Sequence, residues 1–379
     1  MLKIILQYEY SIKKYHLYSF FIKKEKNMYE SFRPGKFWYD NKAKLIQAHG
    51  GAIIYDQGKF WLYGENKEGI TGTSTGELCE YRHHGLRLYS STDLYNWKNE
   101  GFLFKEMKKE GTAFHKSHIV DRPHILFNKK TQMYVMWTKT GYKDFNKCKF
   151  SVCVGKDLKH MKFLREFSPE PHNAGDFDLF EADGKAYVIF ENPHIDMIVR
   201  ELTDDYTGLA EKWSSHLTLG TPPNIREAPC YFERNGRRFI LTSGTTSYFA
   251  NPTIAYDITD IHGEWKEIGL TCKNDKTNDS YRCQFSKVFK HPFKKDLYIA
   301  VGDRWLNDTP IDLPDMTKVF LGDFSPEDPN GVHVDWQVQK TFTDRDTSMA
   351  TYVWLPIMFD KKGNPYIEWK TIWKTEDFE

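Results

Sequence analysis

Short apolar runs recur along the chain, and in each case a polar turn separates one run from a second run that is rich in aromatic residues. Turn pairs such as Asp183-Gly184 and Asn235-Gly236 end the runs sharply. The flanking β-branched and aromatic residues favour strands, so each unit reads as a β-hairpin. Six such hairpins are found, at residues 51–63, 124–137, 178–190, 230–242, 286–301 and 355–369. The pattern predicts an all-β chain.

A second recurrence follows the hairpins, in which a strand ends in a small turn containing Asp. Examples are Leu88–Trp97, Val152–Met161 and Ala255–Trp265. A hairpin plus this second pair makes four antiparallel strands, and four-stranded units repeated every ~50–70 residues are typical of a β-propeller. We therefore predict an all-β fold with five blades. The units begin near residues 50, 121, 176, 227 and 284.

The fifth unit is the least regular, because the insertion Leu306–Ala350 separates its two hairpins. In this interpretation the hairpin at 355–369 supplies the outer strands of the fifth blade. A six-bladed ring is the first alternative, since six hairpins can be counted, and a β-sandwich of regular hairpins is the second.

No Pro- or Ser-rich linker divides the chain of 379 residues, so residues 28–379 are predicted to form one propeller domain. Residues 1–27 are scattered with Lys and are interpreted as a doubtful extension, with Met28 as a candidate start. They contain no small-residue cleavage site, so no secretory signal is recognised. We expect a cytoplasmic protein that acts on imported oligosaccharides, an expectation that depends on the start being correct.

Charge and composition limit the classes of molecule that the protein is expected to bind. Lys plus Arg is 53 and Asp plus Glu is 52, and no apolar run is long enough to span a bilayer, so neither a nucleic acid nor a membrane is expected as a partner. Aromatic residues make up 16% of the chain, which suits sheets or sugar-stacking surfaces. The six cysteines form no CxxC pair, which favours free thiols, and no metal-ligand spacing is present. We expect no cofactor, while a structural cation in the channel stays open.

Each predicted blade begins with a polar residue just before an apolar strand. In a propeller these positions converge on one central cavity, where charged groups are costly unless they have a role. Several carboxylates around a pocket with many aromatics suit the cleavage of a glycosidic bond, which needs an acid for the leaving oxygen and a group that activates water. The five residues are His49, Asp121, Asp176, Glu227 and Gln284.

At these residues the sequence resembles glycoside hydrolase family 43, and within it the branch of exo-β-1,3-galactanase-like enzymes. Each matching motif is short, but the motifs follow the family's order over nearly the whole chain after residue 33. They are IQAHGG (46–51), YGENK (63–67), SSTDLYNW (90–97), DRPHILFN (121–128), DFDLFEADGKAYV (176–188), REAP (226–229), LTSG (241–244), GDRW (302–305) and YVWLP (352–356). The resemblance implies a five-bladed β-propeller and inverting hydrolysis of β-galactosides.

The resemblance also implies roles for the acidic residues. The glutamate of REAP is the family's general acid, so Glu227 is the expected proton donor. Asp176 is the expected pKa modulator, which orients Glu227 and keeps its pKa raised. The usual base, an Asp in an Ala-Asp-Pro context, is replaced here by His49. The galactanase-like branch shares this loss, and in it a glutamine is thought to activate water; Gln284 matches that position and is the candidate base, with His49 as the alternative.

The remaining candidates are contacts to sugar. Glu65 and Asp121 are expected to bind hydroxyls, and Asp121 is one methylene shorter than the Glu that is usual in the branch, which affects specificity. His49, Trp137, Arg304 and Trp305 complete the predicted substrate-binding set, with core packing as the alternative for the tryptophans. The insertion at 306–350 and the loop at 80–85 (EYRHHG) could reshape the rim.

Two alternative functions accompany the galactosidase hypothesis. The wider family contains α-L-arabinofuranosidases and β-xylosidases, so either activity would fit the same motifs. The missing Asp of the first blade supports a non-catalytic carbohydrate-binding propeller.

Overall fold

The computed structural model describes residues 29–72, 82–142, 147–218, 220–307, 315–333 and 346–379. The predicted extension at 1–27 lies outside these residues, as do parts of the insertion and of the 80–85 loop. The strands form five sheets, antiparallel except for one short parallel pair, arranged as the blades of a propeller, so the predicted five-bladed fold is confirmed. No described helix has both the length and the apolar character needed to cross a membrane.

The first three blades each contain four consecutive strands, with the first strand innermost. Blade 1 consists of β1 (His49–Asp56), β2 (Lys59–Glu65), β3 (Leu86–Ser91) and β4 (Lys98–Phe104); blade 2 of β5 (Ile119–Asn128), β6 (Met133–Gly141), β7 (Lys149–Gly155) and β8 (Lys162–Phe167); and blade 3 of β9 (Phe177–Ala182), β10 (Lys185–Asn192), β11 (Asp196–Leu202) and β12 (Leu209–His216).

Blade 4 repeats this order, and blade 5 has five strands. Blade 4 consists of β13 (Arg226–Arg234), β14 (Arg237–Gly244), β15 (Ile254–Asp257) and β16 (Lys266–Leu270); blade 5 of β18 (Gln284–Lys290), β19 (Tyr298–Arg304), β20 (Thr351–Phe359) and β21 (Pro365–Glu368), with β17 (Cys272–Lys273) parallel to β21 at its outer edge. The hairpin at 355–369 therefore belongs to blade 5, and the six-bladed alternative is wrong. Short 3₁₀ turns lie at Ser280–Arg282 and Thr375–Asp377.

The tight turns have the backbone conformation that their residues favour. Asp183 and Gly184 both have positive φ, 51° and 75°, as do Asn235 and Gly236, 52° and 76°. A two-residue hairpin turn of this kind needs φ > 0 at both positions because its twist matches that of the strands.

The apolar core lies between adjacent blades rather than inside one body. Each interface holds its own cluster of buried aliphatic and aromatic side chains, because both faces of a blade are covered by its neighbours. The ring closes where β1 meets β18, with Ser286 Oγ donating to the carbonyl of Gly51 at 2.7 Å. At this seam Phe32 stacks on Trp373 at 4.2 Å between ring centroids, which ties the two ends of the described chain together.

The insertion in blade 5 contains one described helix, α1 (Met316–Phe324). Asp315 caps its N-terminus by accepting a hydrogen bond from the backbone of Thr317 at 3.1 Å. Met316 and Val319 anchor the helix in a small apolar cluster with Trp305 and Leu306. The helix therefore sits beside the mouth of the channel.

Candidate active site

Five cross-strand pairs surround one end of the channel, one pair from each blade. The first member of each pair lies at the start of the innermost strand, and the second lies opposite it on the next strand or its extension. Residues directly opposite each other in an antiparallel sheet share a face, so both members of a pair are available to the same region. The pairs are His49–Glu65, Asp121–Lys139, Asp176–Glu191, Glu227–Ser243 and Gln284–Asp303.

In three of the blades a β-bulge follows the first member of the pair. The residue after His49, Asp121 and Glu227 has φ of 54°, 51° and 50°, and the strand pairing shifts register directly afterwards. Bulges re-aim side chains at the ends of strands. The same β-bulge thus recurs in three blades, while the side chain that it orients differs from blade to blade.

The pairs open into a cleft of about 880 Å³, counted with its open mouth. Carboxyl groups from blades 1 to 4 line one part of it, and aromatic side chains line another. The lining includes Glu65, Asp121, Asp176, Glu191, Glu227 and Gln284, with Trp305, Tyr248, Phe320 and Phe324 on the aromatic part.

Glu227 is held by Gln284. The Gln284 amide donates from Nε2 to Glu227 Oε1 at 2.8 Å and to Ser243 Oγ at 2.9 Å. Burial raises the pKa of Glu227 well above its ordinary value, and the negative charges of Asp176 and Glu191 raise it further. Because Oε1 accepts a hydrogen bond from the amide N–H, the carboxyl proton is assigned to Oε2.

Asp176 has the opposite environment. It accepts from Arg122 Nε at 2.6 Å and from Lys139 Nζ at 2.7 Å. Burial acts to raise its pKa, but the two cations outweigh burial and leave the pKa of Asp176 below its ordinary value. Two carboxyl groups whose pKa values are driven apart in one cleft form the arrangement that acid catalysis requires, one protonated and one charged.

Glu65 and Asp121 occupy the next part of the wall. Glu65 lies 2.9 Å from Lys67 Nζ and accepts the backbone N–H of Arg122 at 3.1 Å. Burial raises the pKa of Glu65 to about 7 despite the neighbouring ammonium. Asp121 lies 3.4 Å from Lys139 Nζ. The structure places both predicted hydroxyl-binding residues on the cleft, each beside a lysine.

The carbonyl of Gln284 faces a cation. Its Oε1 accepts from Arg122 Nη2 at 2.5 Å, while its Nε2 donates both of its hydrogens as described above. A guanidinium at the carbonyl makes the oxygen a weaker proton acceptor. In this arrangement Gln284 orients Glu227, and its role as a base stays a prediction.

Three of the predicted sugar contacts do not line the cleft. His49 is fully buried; its Nδ1 lies 2.8 Å from Asp303 Oδ1, and its ring stacks on Tyr352 at 4.8 Å. Trp137 belongs to the core between blades 2 and 3, where its Nε1 donates to the carbonyl of Tyr206. These placements remove His49 and Trp137 from the predicted substrate-binding set.

Arg304 also points away from the cleft. It donates from Nη2 to the carbonyl of Tyr281 at 2.7 Å and lies over the ring of Trp369. Of the candidates near the end of β19, Trp305 alone lines the cleft among the described residues. The sequence signal GDRW thus marks a structural arginine next to an aromatic wall residue.

Three charged residues of the cleft were not among the site residues predicted from the sequence: Arg122, Lys139 and Glu191. Arg122 and Lys139 hold Asp176, and burial, together with the charge of Asp176, raises the pKa of Glu191 to about 7. The hairpin pattern of the sequence could have indicated Lys139 and Glu191, since each lies opposite a predicted polar residue on the neighbouring strand.

Asp178 and His124 are buried side by side, with His124 Nδ1 3.5 Å from Asp178 Oδ1, and a structural cation near them stays a prediction. Asp178 is paired with the ammonium of Lys287, which also donates to the carbonyl of Leu179 at 3.1 Å, and the backbone N–H of Tyr231 donates to Asp178 at 2.8 Å. Within the described residues, no group of three or more His, Cys, Asp and Glu side chains is placed to hold a metal ion.

Residues 48–303 of this chain match the protein family described as "Glycosyl hydrolases family 43". No curated protein matches the chain. A GH43 β-1,3-galactosidase has a similar structure, with a TM-score of 0.72 and 25% identity over 92% of this chain. The chain spans 64% of the length of that protein.

A second GH43 β-1,3-galactosidase, solved with galactodeoxynojirimycin, has a TM-score of 0.70 and 25% identity over 90% of this chain and 100% of its own. An exo-β-1,3-galactanase from Phanerochaete chrysosporium, solved with galactose, has a TM-score of 0.70 and 20% identity over 91% of this chain and 68% of its own, which shows a common fold.

Proposed function

The chain belongs to glycoside hydrolase family 43, and on that basis we propose that it is an inverting, exo-acting glycosidase that releases galactose from β-1,3-linked galactosyl side chains or related plant polysaccharide fragments. The observation that carries the proposal is the chain of contacts from Glu227 through Gln284 and Arg122 to Asp176. The two similar structures at 25% identity, both named β-1,3-galactosidases, support the choice of sugar.

In the proposed mechanism, Glu227 donates its proton to the glycosidic oxygen as the bond breaks. Asp176 stays ionised beside Arg122 and Lys139. Burial raises the pKa of Glu227 well above its ordinary value and the charge of Asp176 raises it further, which favours the protonated acid. Gln284 fixes Glu227 Oε1, so the proton-bearing oxygen faces a defined direction. A water molecule attacks the anomeric carbon from the opposite face and gives up one proton to the general base, for which Gln284 stays the predicted candidate, and the sugar leaves with inverted configuration.

Sugar recognition is proposed to fall to Glu65, Asp121 and Trp305. The two carboxyl groups offer oxygens to hydroxyls, and the indole offers a flat apolar surface to the C–H groups of a pyranose. Asp121 reaches less far than a glutamate, and Lys139 Nζ lies 3.4 Å from its carboxylate.

The test is product analysis with the full chain. β-1,3-Galactobiose, an arabinogalactan and the nitrophenyl glycosides of β-galactose, α-L-arabinofuranose and β-xylose are incubated with the protein, and the released sugars are identified by chromatography. We expect galactose, and proton NMR of the first product should show the α-anomer. Release of arabinose or xylose in preference to galactose would overturn the sugar assignment, and binding without release from any substrate would overturn the enzyme.

A further inference from the structure

The helix α1 presents an aromatic pair to the cleft that the proposed mechanism does not use. Phe320 and Phe324 are four residues apart and therefore lie on one face of the helix. Their rings are nearly parallel, with an interplanar angle of 24° and centroids 6.3 Å apart, and both line the cleft. Phe324 is 48% exposed, so its ring is accessible to a bound sugar.

The helix that carries the pair is held in place by an apolar cluster. Val319 and Met316 of α1 are buried in the cluster that contains Trp305, and Phe320 packs against the same cluster. Gly322 packs so closely that a Cβ there would lie 2.6 Å from the carbonyl oxygen of Val332. The cluster therefore holds α1 and the half-buried Phe320 against the propeller, while the ring of Phe324 is exposed.

The position of α1 relative to Glu227 shows on which side of the cleft the two phenylalanines lie. Ser325, directly after the helix, lies 3.0 Å from Thr221 between hydroxyl oxygens, and Thr221 stands in the loop that leads into the strand of Glu227. The ring of His194, in the turn between β10 and β11, lies 6.3 Å from that of Phe324. The aromatic pair thus stands at the rim on the side of the proposed acid.

A general acid contacts the oxygen of the leaving group, so the leaving sugar must lie on the acid's side of the scissile bond. A galactopyranose has an apolar patch, because its axial hydroxyl leaves the C–H groups at C3, C4 and C5 together on one face. A flat aromatic surface beside the leaving-group oxygen suits that patch, since the negative face of the ring attracts polarised C–H groups.

We propose that Phe320 and Phe324 form a platform for the galactosyl residue on the leaving-group side of the scissile bond, and so select chains of galactose over single galactosides. This inference rests on the proposed function, because it assumes a galactosyl leaving group. The platform belongs to the insertion of blade 5 and not to the repeated blade structure.

The experiment compares two substrates that differ in their leaving group. β-1,3-Galactobiose leaves a galactose on the platform, whereas β-galactosyl fluoride leaves only fluoride. In Phe324→Ala we expect kcat/KM for galactobiose to fall about tenfold, mainly through KM, and to fall at least about fivefold more than kcat/KM for the fluoride. Phe293→Ala is the control, since Phe293 is 66% exposed and does not line the cleft; it should change neither value.

Equal losses on the two substrates, or no loss on either, would overturn the platform. If the unchanged protein hydrolyses neither substrate, the proposed function fails separately, and calorimetry decides the platform. Galactobiose should then bind more tightly than galactose, and Phe324→Ala should remove that difference. Equal binding of the two sugars to the unchanged protein would contradict the platform.

Discussion

His49 in blade 1 and Glu227 in blade 4 occupy equivalent positions, but their side chains lie in different surroundings. Each begins an innermost strand, and each is followed by a residue with positive φ and a bulge. Glu227 lines the cleft, whereas His49 is sealed against Asp303 and Tyr352 of blade 5. The repeat therefore fixes the backbone, and the neighbouring blade decides whether the side chain reaches the cavity.

In blades 1 and 5, only one member of each cross-strand pair lines the cleft. In blade 1 the second-strand residue Glu65 takes the place at the cleft, while His49 is withdrawn. In blade 5 the reverse holds, because Gln284 lines the cleft and Asp303 is withdrawn to meet His49. The seam between the first and last blades thus uses one residue of each pair for closure and one for the cleft.

The largest expected effect comes from Glu227→Gln. Without a proton to donate, kcat on galactobiose should fall about 10³-fold, while the amide keeps the shape of the carboxyl group and the melting temperature changes little. Retention of more than a few per cent of the activity would contradict the assignment of the acid.

His49→Ala is the matched control at the equivalent position. It removes the contact to Asp303 and leaves a buried carboxylate without that partner, so we expect a loss of about 3 kcal/mol in the free energy of unfolding. Activity per folded molecule should stay within about threefold, since the side chain does not line the cleft. A loss as large as that of Glu227→Gln, with a normal melting curve, would show that His49 takes part in the chemistry.

Asp176→Asn tests the electrostatic link between blades 3 and 4. The charge of Asp176 raises the pKa of Glu227, so its removal lowers that pKa. Activity needs protonated Glu227, and the alkaline limb of the profile of kcat/KM against pH should therefore move to lower pH, with kcat reduced about 10²-fold. An alkaline limb that stays in place would remove Asp176 as the modulator.

The same variant should also change how the free energy of unfolding depends on pH. The folded-state pKa of Asp176 lies below its ordinary value, so its ion pairs stabilise the fold above that ordinary value and are lost as the pH falls through the lowered pKa. Asp176→Asn should therefore be less stable than the unchanged protein at neutral pH, and the difference should shrink in acid. Urea unfolding at several pH values measures it.

Gly50→Ala tests the bulge of blade 1. Gly50 has φ of 54°, and a Cβ there would lie 2.3 Å from Glu65 Oε1. We expect a loss of about 2 kcal/mol in the free energy of unfolding and a higher KM, because Glu65 must move. An unchanged KM would show that Glu65 does not bind the sugar.

Ala228→Gly, at the equivalent position of blade 4, should have the smallest effect. Ala228 has φ of 50°, a conformation that costs a non-glycine residue about 1 kcal/mol, and glycine relieves that cost while leaving the unfolded chain more flexible. The free energy of unfolding should change by less than about 1 kcal/mol. A large loss would mean that the methyl group itself positions Glu227.

The sequence by itself determined the repeated parts of this protein. Turn pairs such as Asn235-Gly236 set where hairpins end, alternating apolar residues set which faces are buried, and five repeats set the ring, because each of these depends on neighbours in the chain. The polar residues at the blade starts were also visible, since charge before an apolar strand is a local signal.

Only the tertiary structure decided which of those residues share the cleft. Lys139 and Glu191 lie across a strand pair from Asp121 and Asp176, Asp303 reaches His49 across the closing seam, and α1 brings Phe320 and Phe324 to the rim from an insertion with no repeat. The pKa of Glu227 likewise depends on burial and on charges of other blades. Such contacts join residues far apart in sequence, so they follow from how the blades pack and not from any local pattern.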